Sequence, residues 1–137
     1  MNDIDMLNAQ TLAFVGDSLF HLAVRSELAK TRSANVNTLH GMASRRVCAA
    51  QQAVYMRAIA PELTERETQV YRRGLAAKTG AMPKHATVAD YREATAFEAI
   101  LGFLYLSGEP ERADELMRRA RELCPVEDRP APRPYKG

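Results

Sequence analysis

Two carboxylates stand out by their surroundings. Asp17 lies inside TLAFVGDSLFHLAV and Glu98 inside ATAFEAILGFLYL, two runs that are apolar on nearly every side. Read as helices, they give Asp17 the neighbours Ala13, Phe20, His21 and Val24, and Glu98 the neighbours Ala94, Thr95, Leu101, Gly102 and Tyr105. Both acids then sit on faces expected to point inward, where a bare carboxylate is costly unless something positive offsets it. Brought together, the two would repel, and one would keep a proton. A hard divalent cation removes that difficulty, because Mg²⁺ takes one or two protein carboxylates, keeps several waters and meets phosphate oxygens. A simpler arrangement is also open: Asp17 could pair with Arg25, Arg45 or Arg92, and Glu98 could lie at a helix edge. Gly16 precedes Asp17, and Gly102 follows Glu98 by one turn. Glycine within a helix is tolerated where another backbone or a ligand must come close, and either reading applies.

The elements that carry these acids are helical. Leu12, Val15, Leu19 and Leu22 recur at helical spacing from about Ala9 to Lys30. Asn37 is a candidate cap for a second helix reaching about Ala60, where Pro61 stops it. Thr64 and Glu67 match a capping box that opens a short helix to about Arg73. The stretch RGLAAKTGAMPKHAT, with Gly74, Gly80 and Pro83, reads as a loop. Thr87 caps the helix bearing Glu98, which runs to Leu106 and ends at Ser107-Gly108. Pro110 opens a last helix to about Cys124. No alternating strand pattern or internal repeat is visible, so the expected fold is all-α, a bundle of about five to seven helices. Residues 1–124 form the expected domain, and the proline-rich 125–137 reads as an extended, flexible tail.

The 137 residues suit one domain. The formal net charge is only +2, but Arg72, Arg73, Lys78, Lys84, His85 and Arg92 cluster against the single acid Asp90. Such a window on a near-neutral chain is either a polyanion footprint or an ordinary solvated loop. Cys48 and Cys124 lie far apart, outside any metal-ligand spacing, and read as free thiols of a reducing compartment. MNDIDMLNAQ lacks the features of a signal peptide, and ATAFEAILGFLYL is too short to span a bilayer. A cytoplasmic protein without membrane contact is expected.

LAFVGDSLF resembles the first signature helix of ribonuclease III domains, and TAFEAILGFLYL resembles the second. The segment RRGLAAKTGAMPKHATVADYREATAFEA resembles Mini-ribonuclease III, the short form without a double-stranded-RNA-binding domain, and ASRRVCAAQQA is similar to that family's third-helix stretch. Together these cover roughly residues 8 to 120. The resemblance implies an all-α endonuclease domain working as a homodimer. It implies cleavage of double-stranded RNA with Mg²⁺, for which Mn²⁺ can substitute, leaving 5′-phosphate and 3′-hydroxyl ends. It further implies trimming of paired precursor stems of the large-subunit (23S) ribosomal RNA, with no activity on DNA. Asp17 and Glu98 match the catalytic, metal-holding acids.

Full-length relatives use four acids per site, and the positions of the other two are taken here by Gln10 and Thr95, which could act through bridging waters. Related sequences often carry lysine where this chain has Ala50. Duplex RNA is recognised by shape, phosphates and 2′-hydroxyls. Without an appended RNA-binding module the contacts are expected from Arg73, Lys78, Lys84 and His85 on the loop before the Glu98 helix, and from Arg45 and Arg46 on the second helix. The loss of two acids also admits a non-catalytic dimer that binds structured RNA or ribosomal particles. A helical protein-interaction module would have no need of buried acids.

Overall fold

The structure, a computed structural model, describes residues 3–80, 82 and 84–128. Six α-helices follow one another: α1 Ala9–Thr31, α2 Val36–Val47, α3 Ala49–Ile59, α4 Glu65–Ala76, α5 Val88–Leu106 and α6 Pro110–Leu123. A short 3₁₀ turn at Ile4–Met6 precedes α1, another at Ala60–Glu62 joins α3 to α4, and no strand occurs among the described residues. The all-α expectation is therefore met.

Helix α5 forms the axis of the bundle. From Ala94 onward its sequence is apolar on nearly every face, and Ala96, Phe97 and Ala99–Leu104 are all buried, as a helix enclosed by neighbours requires. Helices α1, α3 and α4 pack around it, α2 leans on α1, and α6 closes the far side against α3 and α5. Phe20, Tyr55 and Phe97 bring α1, α3 and α5 together, with the Phe20 and Phe97 rings edge to face at 5.1 Å between centroids.

Two glycines set how closely α1 and α5 cross. A Cβ on Gly16 would collide with the backbone carbonyl of Glu98, and one on Gly102 would collide with that of Leu12. The backbones therefore touch where larger side chains would hold them apart. That contact puts Asp17 and Glu98 at the same crossing.

Three boundaries differ from the sequence reading. The cap of α2 is Asn35, whose side chain accepts from the Thr38 N–H, and not Asn37. The single helix expected from Asn37 to Ala60 is two helices, divided at Cys48, whose backbone is extended. Neither proline nor glycine marks that break. Gln52 stabilises it by donating to the Val47 carbonyl left open at the end of α2. Helix α4 continues three residues past Arg73, through Gly74, whose bare Cα lets it rest on Ala96 of α5.

The capping box at Thr64 and Glu67 is present in both directions. Glu67 is only 3% exposed and also receives a two-pronged ion pair from Arg112, at 2.8 and 2.9 Å, tying α4 to α6. Burial alone would push its carboxyl up, but the Arg112 and Thr64 donors more than reverse this and hold it below the ordinary range. Residues 125–128 run back along α2, and Asp128 meets Arg46 at 2.7 Å and Arg32 at 3.2 Å. The rest of the expected tail, 129–137, lies outside the described residues.

Candidate functional site

The α1–α5 crossing carries the two acids at one place. The backbone contact of Gly16 with the Glu98 carbonyl brings the Asp17 carboxyl beside that of Glu98, near enough to raise its pKa. The two differ in surroundings: the Asp17 side chain is 53% exposed, whereas Glu98 is largely enclosed. The inward face expected for Asp17 is thus corrected to an outward one. Gly16 is the buried residue of that turn, and the next position projects past the crossing into solvent. Burial pushes the Glu98 carboxyl up to about 9, the neighbouring Asp17 adds to the rise, and the Gln52 amide opposes it.

The partner of Asp17 is His21, one turn on, at 3.3 Å. Among the described residues no arginine or lysine pairs with either acid. Nor do three or more histidine, cysteine, aspartate or glutamate side chains among them form a group placed to hold a metal ion together. The site consists of two carboxylates and an amide. Gln52, 3% exposed, reaches Glu98 Oε2 with its Nε2 at 3.4 Å, and its Oε1 is buried without a partner. This donor set fits a hard divalent cation: two acids of which one opens to solvent, a proton held on Glu98 for want of positive charge, and an acceptor still unmet.

Gln10 and Thr95 sit close by in sequence but are engaged elsewhere. Gln10 Nε2 donates to the Lys78 carbonyl at 2.6 Å, pinning the loop after α4 to the start of α1. Thr95 Oγ1 donates to the Tyr91 carbonyl of its own helix at 2.9 Å.

The basic residues divide. Lys78, Lys84 and His85 are exposed. Arg73 turns inward and donates to the Leu7 carbonyl. Asn8, Gln10, Arg73 and Lys78 line a cleft of about 340 Å³ between α1, α4 and the loop. Arg45 keeps part of its surface and lies 3.8 Å from Asp128. Arg46 is 6% exposed and bonds to Asp128 and to the carbonyls of Met42 and Val126. The expectation of a surface phosphate contact at Arg46 is therefore corrected: its guanidinium is fully committed inside the fold. Tyr105 is 51% exposed at the end of α5.

Sequence reading missed Gln52 and Asp128. A signal for Gln52 was available, since it shares a helical face with Tyr55, Met56 and Ile59, where an amide is out of place unless bonded. Asp128 had none, because its partners lie more than eighty residues away in sequence.

Comparison with known proteins agrees with this architecture. The ribonuclease III domain profile matches residues 10–109. The Mini-ribonuclease 3 of Brevibacillus brevis is 42% identical over 118 residues, which cover 86% of this chain and 88% of that protein. The Mini-ribonuclease 3 of Symbiobacterium thermophilum is 43% identical over 113 residues, covering 82% and 87%. A crystal structure of a Fusobacterium nucleatum protein superposes with a TM-score of 0.80 at 30% identity, covering 89% of this chain and 98% of that one.

Proposed function

This chain belongs to the ribonuclease III domain family, in its Mini-ribonuclease III branch, and from that premise we propose that it is an endoribonuclease that cuts double-stranded RNA with Mg²⁺ at Asp17 and Glu98. The observation that carries the reading is the meeting of these two acids at a glycine-lined helix crossing with no arginine between them. Its substrate in this reading is the paired stems of the 23S ribosomal RNA precursor, as in the family it resembles, and Mn²⁺ replaces Mg²⁺.

Asp17, open to solvent, presents a carboxylate toward an approaching backbone, and Glu98 supplies a second from below. Bound between them, the ion would lower the pKa of a water and offset charge on the attacked phosphate. Asp17 and Glu98 would hold the ion, and its positive charge would favour the ionised form of the enclosed Glu98 carboxyl. Lys78, Lys84, His85 and the exposed part of Arg45 hold phosphates, Gln10 braces the loop on which Lys78 rides, and Arg73 lines the cleft beside it. The protein works as a homodimer. Phe14 and Leu22, 77% and 64% exposed on one stripe of α1, support this. Two copies of the site, related by a two-fold axis, then cut one strand each. Residues 1–124 are the catalytic domain in this reading, and 125–137 a tail whose first residues lie against α2.

The test is a labelled RNA hairpin incubated with the protein in Mg²⁺ and in EDTA. Cleavage in Mg²⁺ alone is expected, lost in Asp17→Asn and in Glu98→Gln while hairpin binding persists. A second reading, RNA binding without cleavage, is favoured by one observation: the side chains at both positions where full-length relatives carry further acids donate to backbone carbonyls. It predicts retention of intact hairpin in Mg²⁺ and in Mn²⁺ alike.

A further inference from the structure

Gln52 is the buried polar side chain beside the acid pair to which the proposed chemistry assigns nothing. The extended residue Cys48 ends α2 and places Gln52 in the first turn of α3, facing the core. Its Nε2 donates to the Val47 carbonyl at 2.9 Å and reaches Glu98 Oε2 at 3.4 Å. A carbonyl can only accept, so the nitrogen must face Val47 and the amide cannot be turned over. Both N–H groups are then engaged, and Oε1 is the atom left over. It is buried with no donor.

A side chain needed only to close the end of α2 has no use for a buried acceptor that nothing meets. A side chain that serves the site does. One end of the amide restrains Glu98 through its N–H, and the other keeps a buried lone pair with no donor. We propose that Gln52 is a positioning residue of the metal site, holding the Glu98 carboxyl toward Asp17 and accepting a hydrogen bond from a water carried by the divalent ion. This rests on the reading of Asp17 and Glu98 as the ligands of that ion. The break at Cys48 follows from the same arrangement, since an unbroken helix would leave no free Val47 carbonyl to anchor the amide.

The experiment is a Mn²⁺ titration of the RNA-free protein by calorimetry, on the wild type, Glu98→Gln, Gln52→Met and Gln52→Glu. Helical circular dichroism and hairpin binding in EDTA are measured alongside. Gln52→Met keeps the volume and removes both hydrogen-bonding ends. It is expected to fold, to bind the hairpin as the wild type does, and to bind Mn²⁺ ten- to a hundredfold more weakly, the usual effect of removing a group that orients a ligand. Gln52→Glu keeps an acceptor and is expected to bind Mn²⁺ at least as tightly as the wild type. A folded Gln52→Met with Mn²⁺ affinity within twofold of the wild type overturns the proposal. Should Gln52→Met fail to fold, Gln52→Glu decides, and a tenfold weakening there overturns it. Wild-type Mn²⁺ binding that Glu98→Gln leaves untouched would instead remove the metal site itself, a result distinguishable from failure of the Gln52 assignment alone.

Discussion

At the scale of single residues, Glu98 couples burial to function. Its carboxyl is raised to about 9 in the fold by burial and by Asp17, against an ordinary value near 4.5 in the unfolded chain. A group whose folded value is raised contributes stability below its unfolded value, and that contribution is lost as pH rises through the window between the two. In EDTA, Glu98→Gln is therefore expected to melt above the wild type. The gap should open from about pH 5, grow toward pH 9 and reach at most about 3 kcal/mol near pH 7. Thermal melts across that range check it, and a gap independent of pH would contradict the account. Added Mg²⁺ should narrow the gap by stabilising the wild type alone. The candidate acids were legible because a carboxylate amid Phe, Leu and Ala is conspicuous in a sequence. Their different exposures were not, because a rotation of one helix by a fraction of a turn decides whether Asp17 faces in or out.

At the scale of elements, the α1–α5 crossing depends on the absence of side chains at Gly16 and Gly102. Gly16→Ala would drive a methyl into the Glu98 carbonyl, which belongs to helix backbone and cannot swing aside. A loss of about 2 to 4 kcal/mol is expected by urea unfolding, with metal affinity falling in whatever protein remains folded. Helices α4 and α6 are joined differently, by Arg112 on Glu67. Arg112→Ala would leave a carboxylate 3% exposed with only its cap donors, and should cost about 3 kcal/mol. Because Glu67 is held below its ordinary value, its contribution is present above the unfolded value and is lost as pH falls through the folded one. The wild type should thus lose its advantage over Arg112→Ala in acid. The helices and most of their caps were readable from sequence, since Thr64, Thr87, Gly108 and Pro110 act locally. The division at Cys48 was not. Its cause is a side chain four residues on, bonding across to α2 and α5, and nothing local announces it.

For the whole molecule, the family resemblance carried the fold to the right architecture, while the distribution of charge needed coordinates. Of six basic residues singled out from the sequence, Arg46 is enclosed and Arg73 is turned onto the Leu7 carbonyl. The exposed group is narrower, and its behaviour follows from counterion release. A Lys78→Ala, Lys84→Ala double variant should bind duplex RNA more weakly across all sequences and flatten the plot of log affinity against log salt by about two phosphate contacts. An unchanged slope would take the loop out of the interface. The apolar stripe on α1 makes a parallel claim about assembly. Phe14→Asp with Leu22→Asp should shift the protein to monomer in sedimentation and depress cleavage, while its helical content stays constant.

Asp128 bears on where the folded unit stops. The last helix closes at Leu123, yet a carboxylate five positions beyond it neutralises a guanidinium sealed beneath α2. Trimming the gene after Cys124, as the helix boundary alone would suggest, would strip Arg46 of its counter-charge and expose a cationic hollow beside Tyr55. A shortened version for crystallisation or display therefore has to retain Asp128, and a fusion partner joined ahead of it would be expected to lower the yield of folded material.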